Sequence, residues 1–248
     1  MNEGELRLAR LTWVEVGRRQ RAGWDTAVLP LGATEQHGPH LPLGTDSLVG
    51  DAVAVRVAQQ LGRSFVLPPL PIGASEEHRG FPGTLSLSHE TVAAVVTDCC
   101  SWLVERGFHS VVVFSAHGGN ERGLELAAAR LAGFPEVILA DREVGFSGAE
   151  FLAGRGIDPA RAGAHAGLVE TSEVLALAPA AVDMQAAEAG YVGSLDAAWP
   201  LLTTEGLRAV TANGVLGDPR GATPEIGEAL LDAWAASIVE VVRRRRSA

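Results

Sequence analysis

At 248 residues with 47% hydrophobic side chains, the chain is long enough to bury a full core as one large α/β domain, or at most two small ones. With 20 basic against 30 acidic residues its net charge is −10, which argues against a nucleic-acid or anionic-membrane role. No apolar run reaches the roughly 18 residues of a membrane span; the charged N-terminus lacks the apolar segment of a secretion signal. The only cysteines, Cys99 and Cys100, are neighbours that cannot form an ordinary disulfide, so they read as packing residues in a reducing cytoplasm.

In chain order, residues 11–21 read as a short amphipathic helix capped by Thr12, and Thr26 to Leu31 as the first strand, ended by Gly32. The segment that follows, GATEQHGPHLPLGTD, sets Glu35, His37, His40 and Asp46 within twelve residues. Residues two apart on an extended segment point to one side, so Glu35 and His37 face one place; Gly38-Pro39 turns the chain and Gly44 lets Asp46 return. Two carboxylates and an imidazole at the end of a strand suit a divalent cation such as zinc or iron. A polar loop with a helix-capping Asp46 is the plainer reading of the same residues.

Thr45 or Asp46 is expected to cap a helix to about Leu61, with a strand over Ser64 to Leu67 closed by Pro68-Pro69. The loop 71–87, PIGASEEHRGFPGTLSL, has no helical period, and long loops in compact domains are often functional. Ser88 caps a helix to about Arg106, and His109 to Ser115 holds the apolar run VVVF of a parallel strand covered on both faces. AHGGN follows, then a helix over Glu121 to Leu131 and a strand over Glu136 to Ala140. Residues 141–164 and 180–222 have little pattern; between them Val169 to Leu177 is helical, and Thr223 caps the last helix with Pro224 in its first turn. The basic cluster Arg243 to Arg246 closes that helix and favours its dipole.

Alternating strands and helices predict a doubly wound, mostly parallel sheet in a three-layer α/β/α arrangement, as one domain over 1–248. Sites in such sheets lie outside the carboxyl ends of the strands. Glu35 and His37 follow one strand and His117 another, so they share an edge if those strands are neighbours. His117 alone also fits a core histidine, Gly118-Gly119 a tight turn, and His165, Glu170 and Glu173 a helix start with favourable charges.

Taken together, EQHGPHLPLGTD, EEHRGFPGT, HGGN, HAGLVETS and GDPRGAT resemble the creatininase family of metal-dependent amidohydrolases, in the family's order from about residue 27 to 227. The resemblance implies a creatininase-like fold and two divalent metal ions per subunit, zinc and/or iron with manganese also accepted. It implies Glu35, His37, Asp46 and His117 as ligands, Asp46 as the bridge, and His165 as the histidine that moves protons. Creatininase itself carries a ligating glutamate two residues beyond its histidine, where this chain has Gly119; Glu170 is the candidate replacement, or else a base. The tryptophans that close over the small ring substrate of creatininase are also missing, since no tryptophan lies between Trp102 and Trp199. A larger amide is therefore expected. The strings GASEEHRGFPGT, HAGLVETS and GVLGDPRGAT most resemble the peptidase members of the family, which implies a radical-modified precursor peptide cut near its C-terminus to release an altered Val-Tyr dipeptide.

Substrate contacts are expected from Ser75, Glu77, His78 and Thr84 of the 71–87 loop and from Gly118, Gly119 and Asn120, whose N–H groups could hold an oxyanion or a carboxylate. His40 and His78 are equally candidates for orienting ligands; His89 and His109 are expected to be structural or exposed. The partners expected are a peptide or small amide substrate and further copies of the chain in a homo-oligomer. Two rivals remain at this point: a creatininase-like or formamide-cleaving hydrolase of a small cyclic amide, and a metal-free flavodoxin-like binding module with HGGN as an anion loop.

Overall fold

The structure, a computed structural model, describes residues 4–140, 144 and 146–247. Strands β1 (Thr26–Leu31), β2 (Ser64–Val66), β3 (Ser110–Ser115) and β4 (Val137–Leu139) form an all-parallel sheet in the order β2-β1-β3-β4. Between and before them run α1 (Trp13–Arg21), α2 (Thr45–Leu61), α3 (His89–Glu105) and α4 (Glu121–Arg130). After β4 come α5 (Gly148–Ala153), α6 (Pro159–Ala162), α7 (Leu168–Leu177), α8 (Leu195–Glu205), α9 (Leu207–Val210) and the long α10 (Pro224–Ser247). Among the described residues no helix is long and apolar enough to cross a membrane.

Period-two alternation sorts the strand side chains into two cores. Val28, Val66, Val112, Phe114 and Ile138 pack against α2 and α10 through Val53, Val57, Leu231 and Ile238. Ala27, Leu29, Leu31, Phe65, Val111 and Val113 pack against α3 and α4 through Val92, Val96, Cys100, Leu124 and Ala127. With both faces covered, the strands read as continuous apolar runs, and the three-layer α/β/α arrangement expected from the sequence is the one observed. Each fully buried Val, Leu or Phe contributes roughly 1.5–3 kcal/mol relative to exposure.

Three helix starts named from the sequence follow local chemistry. Thr12 and Glu15 form a reciprocal capping box, Ser88 accepts from Thr91 N at 3.2 Å, and Thr223 accepts from Ile226 N at 3.3 Å. For α2 the expected cap is corrected: the N-cap is Gly44, with no side-chain hydrogen bond. Thr45 Oγ1 turns back to Pro42 O at 2.8 Å, and the Asp46 carboxylate is drawn to a histidine, so neither serves the helix end. The two unpatterned regions contain α5, α6, α8 and α9. The first two are too short to show a period, and α8 leaves Leu195, Trp199 and Leu201 exposed, which blurs its amphipathic signal. Residues 141–143 and 145 of the first region lie outside the described residues.

Two features aim chain segments at one edge. β1 and β3 are neighbours in register from Thr26↔Ser110 to Leu31↔Ser115, so the segments leaving both strands emerge side by side. Gly32 then passes against the first turn of α2: a Cβ on it would lie 2.7 Å from both the N and Cα of Ser47. Gly32→Ala is therefore expected to lower the urea midpoint by an amount equivalent to about 1–3 kcal/mol without changing the slope; a midpoint equal to that of the parent would show that the crossing yields freely.

Candidate metal centre

Four segments meet at the carboxyl edge of β1 and β3. Glu35, which follows β1, is fully buried, with Oε2 at 3.2 Å from His117 Nε2 and Oε1 at 3.3 Å from His78 Nε2 and 3.7 Å from His165 Nδ1. Asp46, in the first turn of α2, sets Oδ1 3.0 Å from His37 Nε2 and Oδ2 3.8 Å from His117 Nδ1. Glu170, in the first turn of α7, brings Oε2 to 3.8 Å from His37 Nε2. Three buried oxygens in this cluster, Glu35 Oε1 and Oε2 and Asp46 Oδ2, have no hydrogen-bond partner. Buried carboxylate oxygens in native structures are paired or bind cations. The donor set of oxygens and imidazoles fits a divalent metal, and three groups have ligand atoms within 4.8 Å of one another: Glu35, Asp46 and His117; His37, His165 and Glu170; Glu35, His78 and His165.

Main-chain carbonyls decide which imidazole nitrogen faces the cluster. His37 Nδ1 donates to Glu35 O at 3.1 Å, His117 Nε2 to Ala74 O at 2.8 Å and His165 Nε2 to Gln36 O at 2.7 Å. The opposite nitrogen of His117 and of His165 is thereby left as the lone-pair atom, the arrangement found for metal-ligating and proton-moving histidines, whereas Nε2 of His37 faces Asp46 Oδ1 and becomes a lone-pair atom only on losing its proton. Burial, then the charge of Asp46, pushes the Glu35 carboxyl well above the ordinary carboxylate range; burial also raises Glu170. Burial opposes the proton on His37, but the charge of Asp46 and its hydrogen bond outweigh it and push that histidine up to about 10. Burial works against the Asp46 charge too, and the charge and hydrogen bond of His37 hold it below its usual value. His165 is depressed well below its ordinary value by burial and then by the charge of His37, and is neutral.

Of the expected substrate contacts, Ser75 is buried with Oγ 3.3 Å from His117 Nε2, and Glu77 lies at the rim, 3.8 Å from His78 Nε2 and 3.9 Å from His117 Nε2. Thr84 Oγ1 accepts from Gln36 N at 3.2 Å. Gly118 borders open space, whereas Gly119 is closed in: a Cβ there would lie 2.1 Å from Ala74 O and 2.8 Å from Glu77 Oε1. No side chain fits at 119, so the cluster's third carboxylate comes from Glu170. Asn120 spends its amide on the scaffold, accepting from Ala74 N and donating to Gly32 O and Ser115 Oγ. His40 bonds Thr171 Oγ1 at 2.9 Å, away from the three ligand groups; His89 and His109 are exposed.

Several residues at the site are not site candidates in the sequence, where Glu173 reads only as a helix-start charge. Ala166, between His165 and Glu170, has φ +50, and its N–H donates to Glu170 Oε2 at 2.5 Å. That strained non-glycine conformation sits where the loop must present both side chains. Leu216 pins the same loop by an antiparallel bridge to His165. Glu173 is buried, and burial, then the charges of Glu170 and Asp46, raises its carboxyl well above the ordinary range. Trp234 arrives from α10 and stacks on Phe146, with ring centroids 6.2 Å apart.

Three cavities adjoin the cluster. One of about 310 Å³ is lined by Asp46, Glu170, Glu173, Phe146 and Trp234. A second of about 590 Å³ shares Glu170 with it and extends past His165 to Tyr191 and Ser194. A third of about 470 Å³ shares Trp234 and Ser115 with the first and is bordered by His117, Gly118 and Glu121.

Comparison with known proteins identifies the family and the fold. The family model described as creatininase, creatinine amidohydrolase, matches residues 9–242. The mycofactocin precursor peptide peptidase of Mycolicibacterium smegmatis is 32% identical over 228 residues, covering 88% of this chain and 84% of that protein. The creatinine amidohydrolase of Pseudomonas putida is 31% identical over 260 residues, covering 95% of each. A solved manganese form of creatininase superposes with a TM-score of 0.79 at 29% identity, covering 97% of this chain and 98% of that one.

The His37–Asp46 pair makes cation loading a proton exchange. His37 keeps its proton at neutral pH in the metal-free cluster and must lose it to offer Nε2 as a ligand. Binding of zinc at pH 7 is expected to release at least about one proton, and affinity to rise with pH up to about 10. Titration calorimetry in buffers of different ionisation enthalpy measures this; zero protons released would refute the pairing.

Proposed function

The chain belongs to the creatininase family of amidohydrolases, and from that premise we propose that it is a two-metal peptidase that cuts a modified precursor peptide. Glu35, Asp46 and His117 would hold one cation, and His37, Asp46 and Glu170 the other. Asp46 would serve both, because its two oxygens address different histidines, His37 and His117. The oxygen and imidazole set accepts zinc, iron or manganese. When bound, the pair supplies Lewis-acid polarisation of the scissile carbonyl and acidifies a water toward neutrality.

The protein's own residues do the rest. His165 is held neutral by burial and bonded through Nε2 to Gln36 O, so its Nδ1 takes the proton released on attack and passes it to the leaving nitrogen. At the 3₁₀ turn Gly118–Asn120 the backbone N–H groups of Gly118 and Gly119 are those offered to the oxyanion or to a substrate carboxylate, since that of Asn120 is donated to His117 O. Three cavities border the cluster past Asp46, Glu170 and His117, and their volumes of about 310, 590 and 470 Å³ are the observation that carries the peptide reading. Among the described residues Trp234 is the one tryptophan that lines them. The products are the shortened peptide and its C-terminal Val-Tyr-derived dipeptide. The exposed apolar residues of α8 suit a homo-oligomer.

A small cyclic amide or a formamide is the second reading, favoured by the 31% identity to a creatinine amidohydrolase. The metal-free binding module falls with family membership, since the members matched are hydrolases of amide bonds.

Incubation of the metal-loaded protein with the modified precursor peptide, creatinine and a nucleotide-derived formamide separates the readings. Dipeptide release from the peptide alone is expected; turnover of the small amides alone would overturn the proposal. Glu170→Gln is expected to halve the metal bound per chain and to lower kcat by more than the 10–100-fold typical of losing a residue that merely orients a ligand. Elemental analysis and steady-state kinetics read the two effects.

A further inference from the structure

Four imidazoles surround Glu35 and Asp46, and three of them are oriented by main-chain carbonyls. His78 is the exception. Its Nδ1 lies 3.1 Å from Gln36 Nε2, the nitrogen of a side-chain amide. That amide cannot turn over: its Oε1 accepts from Gly38 N at 2.9 Å and its Nε2 donates to Gly214 O at 3.0 Å. The same nitrogen lies 3.0 Å from His165 Nε2, but that ring nitrogen carries its own hydrogen to Gln36 O at 2.7 Å and cannot accept, so the remaining amide hydrogen is left for His78 Nδ1, which must be an acceptor. A proton there would oppose the amide N–H, so both the other tautomer and the imidazolium are excluded. The ring proton of His78 sits on Nε2, which faces Glu35 Oε1 at 3.3 Å.

We propose that Gln36 is a positioning residue that holds the ring proton of His78 on Nε2 and thereby removes it from the ligand set. The group Glu35, His78 and His165 is close enough to hold a cation of its own. With the proton on Nε2, the nitrogen that faces Glu35 Oε1 at 3.3 Å, His78 has no lone pair to offer there, and the centre takes two cations instead of three. The fold invests in this one side chain. Gln36 is buried, and a Cβ on Gly214, at φ +81, would lie 1.9 Å from Gln36 Oε1. Gly38, at φ +65, donates to the same oxygen from the other side. Two left-handed glycines from distant loops thus box in the amide, a conformation and a closeness of approach that only glycine allows.

The consequence for catalysis rests on the two-metal reading above; the tautomer itself does not. The test is the imidazole 15N long-range correlation spectrum of the full-length protein, recorded metal-free and zinc-loaded. His78 is expected in the Nε2–H form in both. Gln36→Glu replaces the donor with an acceptor and is expected to move the proton to Nδ1 and to raise zinc bound at saturation above two per chain. Gly214→Ala, which evicts the Gln36 side chain without touching a histidine, is expected to mix the two tautomers. In both variants kcat is expected to fall about 10–100-fold with little change in KM. An Nδ1–H form of His78 in the parent, or an unchanged Nε2–H form in both variants, would overturn the assignment. A parent protein with the assigned tautomer that binds no metal and cleaves no amide would refute the hydrolase reading and leave the role of Gln36 standing.

Discussion

Concentrated negative charge at a buried edge is the condition the rest of the structure answers to. Glu35, Asp46 and Glu170 approach one another among four imidazoles, and Glu35 and Asp46 are almost wholly out of solvent. Taking a carboxylate from water into such a place costs several kcal/mol unless positive charge or hydrogen bonds replace the solvent. Here three of the oxygens find no hydrogen bond. A proton on His37 offsets part of the deficit, which is why burial fails to strip it. Divalent cations would offset all of it, and the same desolvated surroundings make their effect on a bound amide strong.

The scaffold holds these groups with rigid parts. β1 and β3 pair in register over six positions, so the segments carrying Glu35 and His117 leave the sheet side by side. The first turns of α2 and α7 bring in Asp46 and Glu170. Carbonyls of Glu35, Ala74 and Gln36 fix three rings, and the packed Asn120 amide ties together the loops behind them. Each constraint uses backbone groups or buried amides, which have few alternative states. A cluster that must meet cations at defined distances needs that kind of support.

Family and substrate are separable in this molecule. A peptidase and a creatinine amidohydrolase are matched at nearly equal identity, 32% and 31%, so overall likeness does not choose between their substrates. The walls around the centre are this chain's own. Gly119 has no room for a side chain, because Ala74 and Glu77 fill the space it would need. The tryptophan at the site comes from α10. Such features shape the cavities beside the cluster and leave the electrostatic problem of its buried carboxylates untouched.

Much of this was legible in the letters. Continuous apolar runs announced strands covered on both faces, Thr12, Ser88 and Thr223 announced helix starts, and the order of the motifs announced the family. Those signals are local, carried by residues within a turn or two of each other. The sequence could not say that Asp46 leaves its helix end uncapped, because its carboxylate is claimed by His37 across a loop. It offered Glu173 only as a favourable charge at a helix start and was silent on Trp234; both count because α7 and α10 pack together beside the cluster. It was equally silent on proton positions: the tautomer of His78 depends on an amide that is locked by Gly214, 178 residues along the chain from Gln36. Composition and periodicity fix what each segment prefers. Which lone pair faces which oxygen is settled only where distant segments are pressed into one dry volume, because there every donor must find its acceptor.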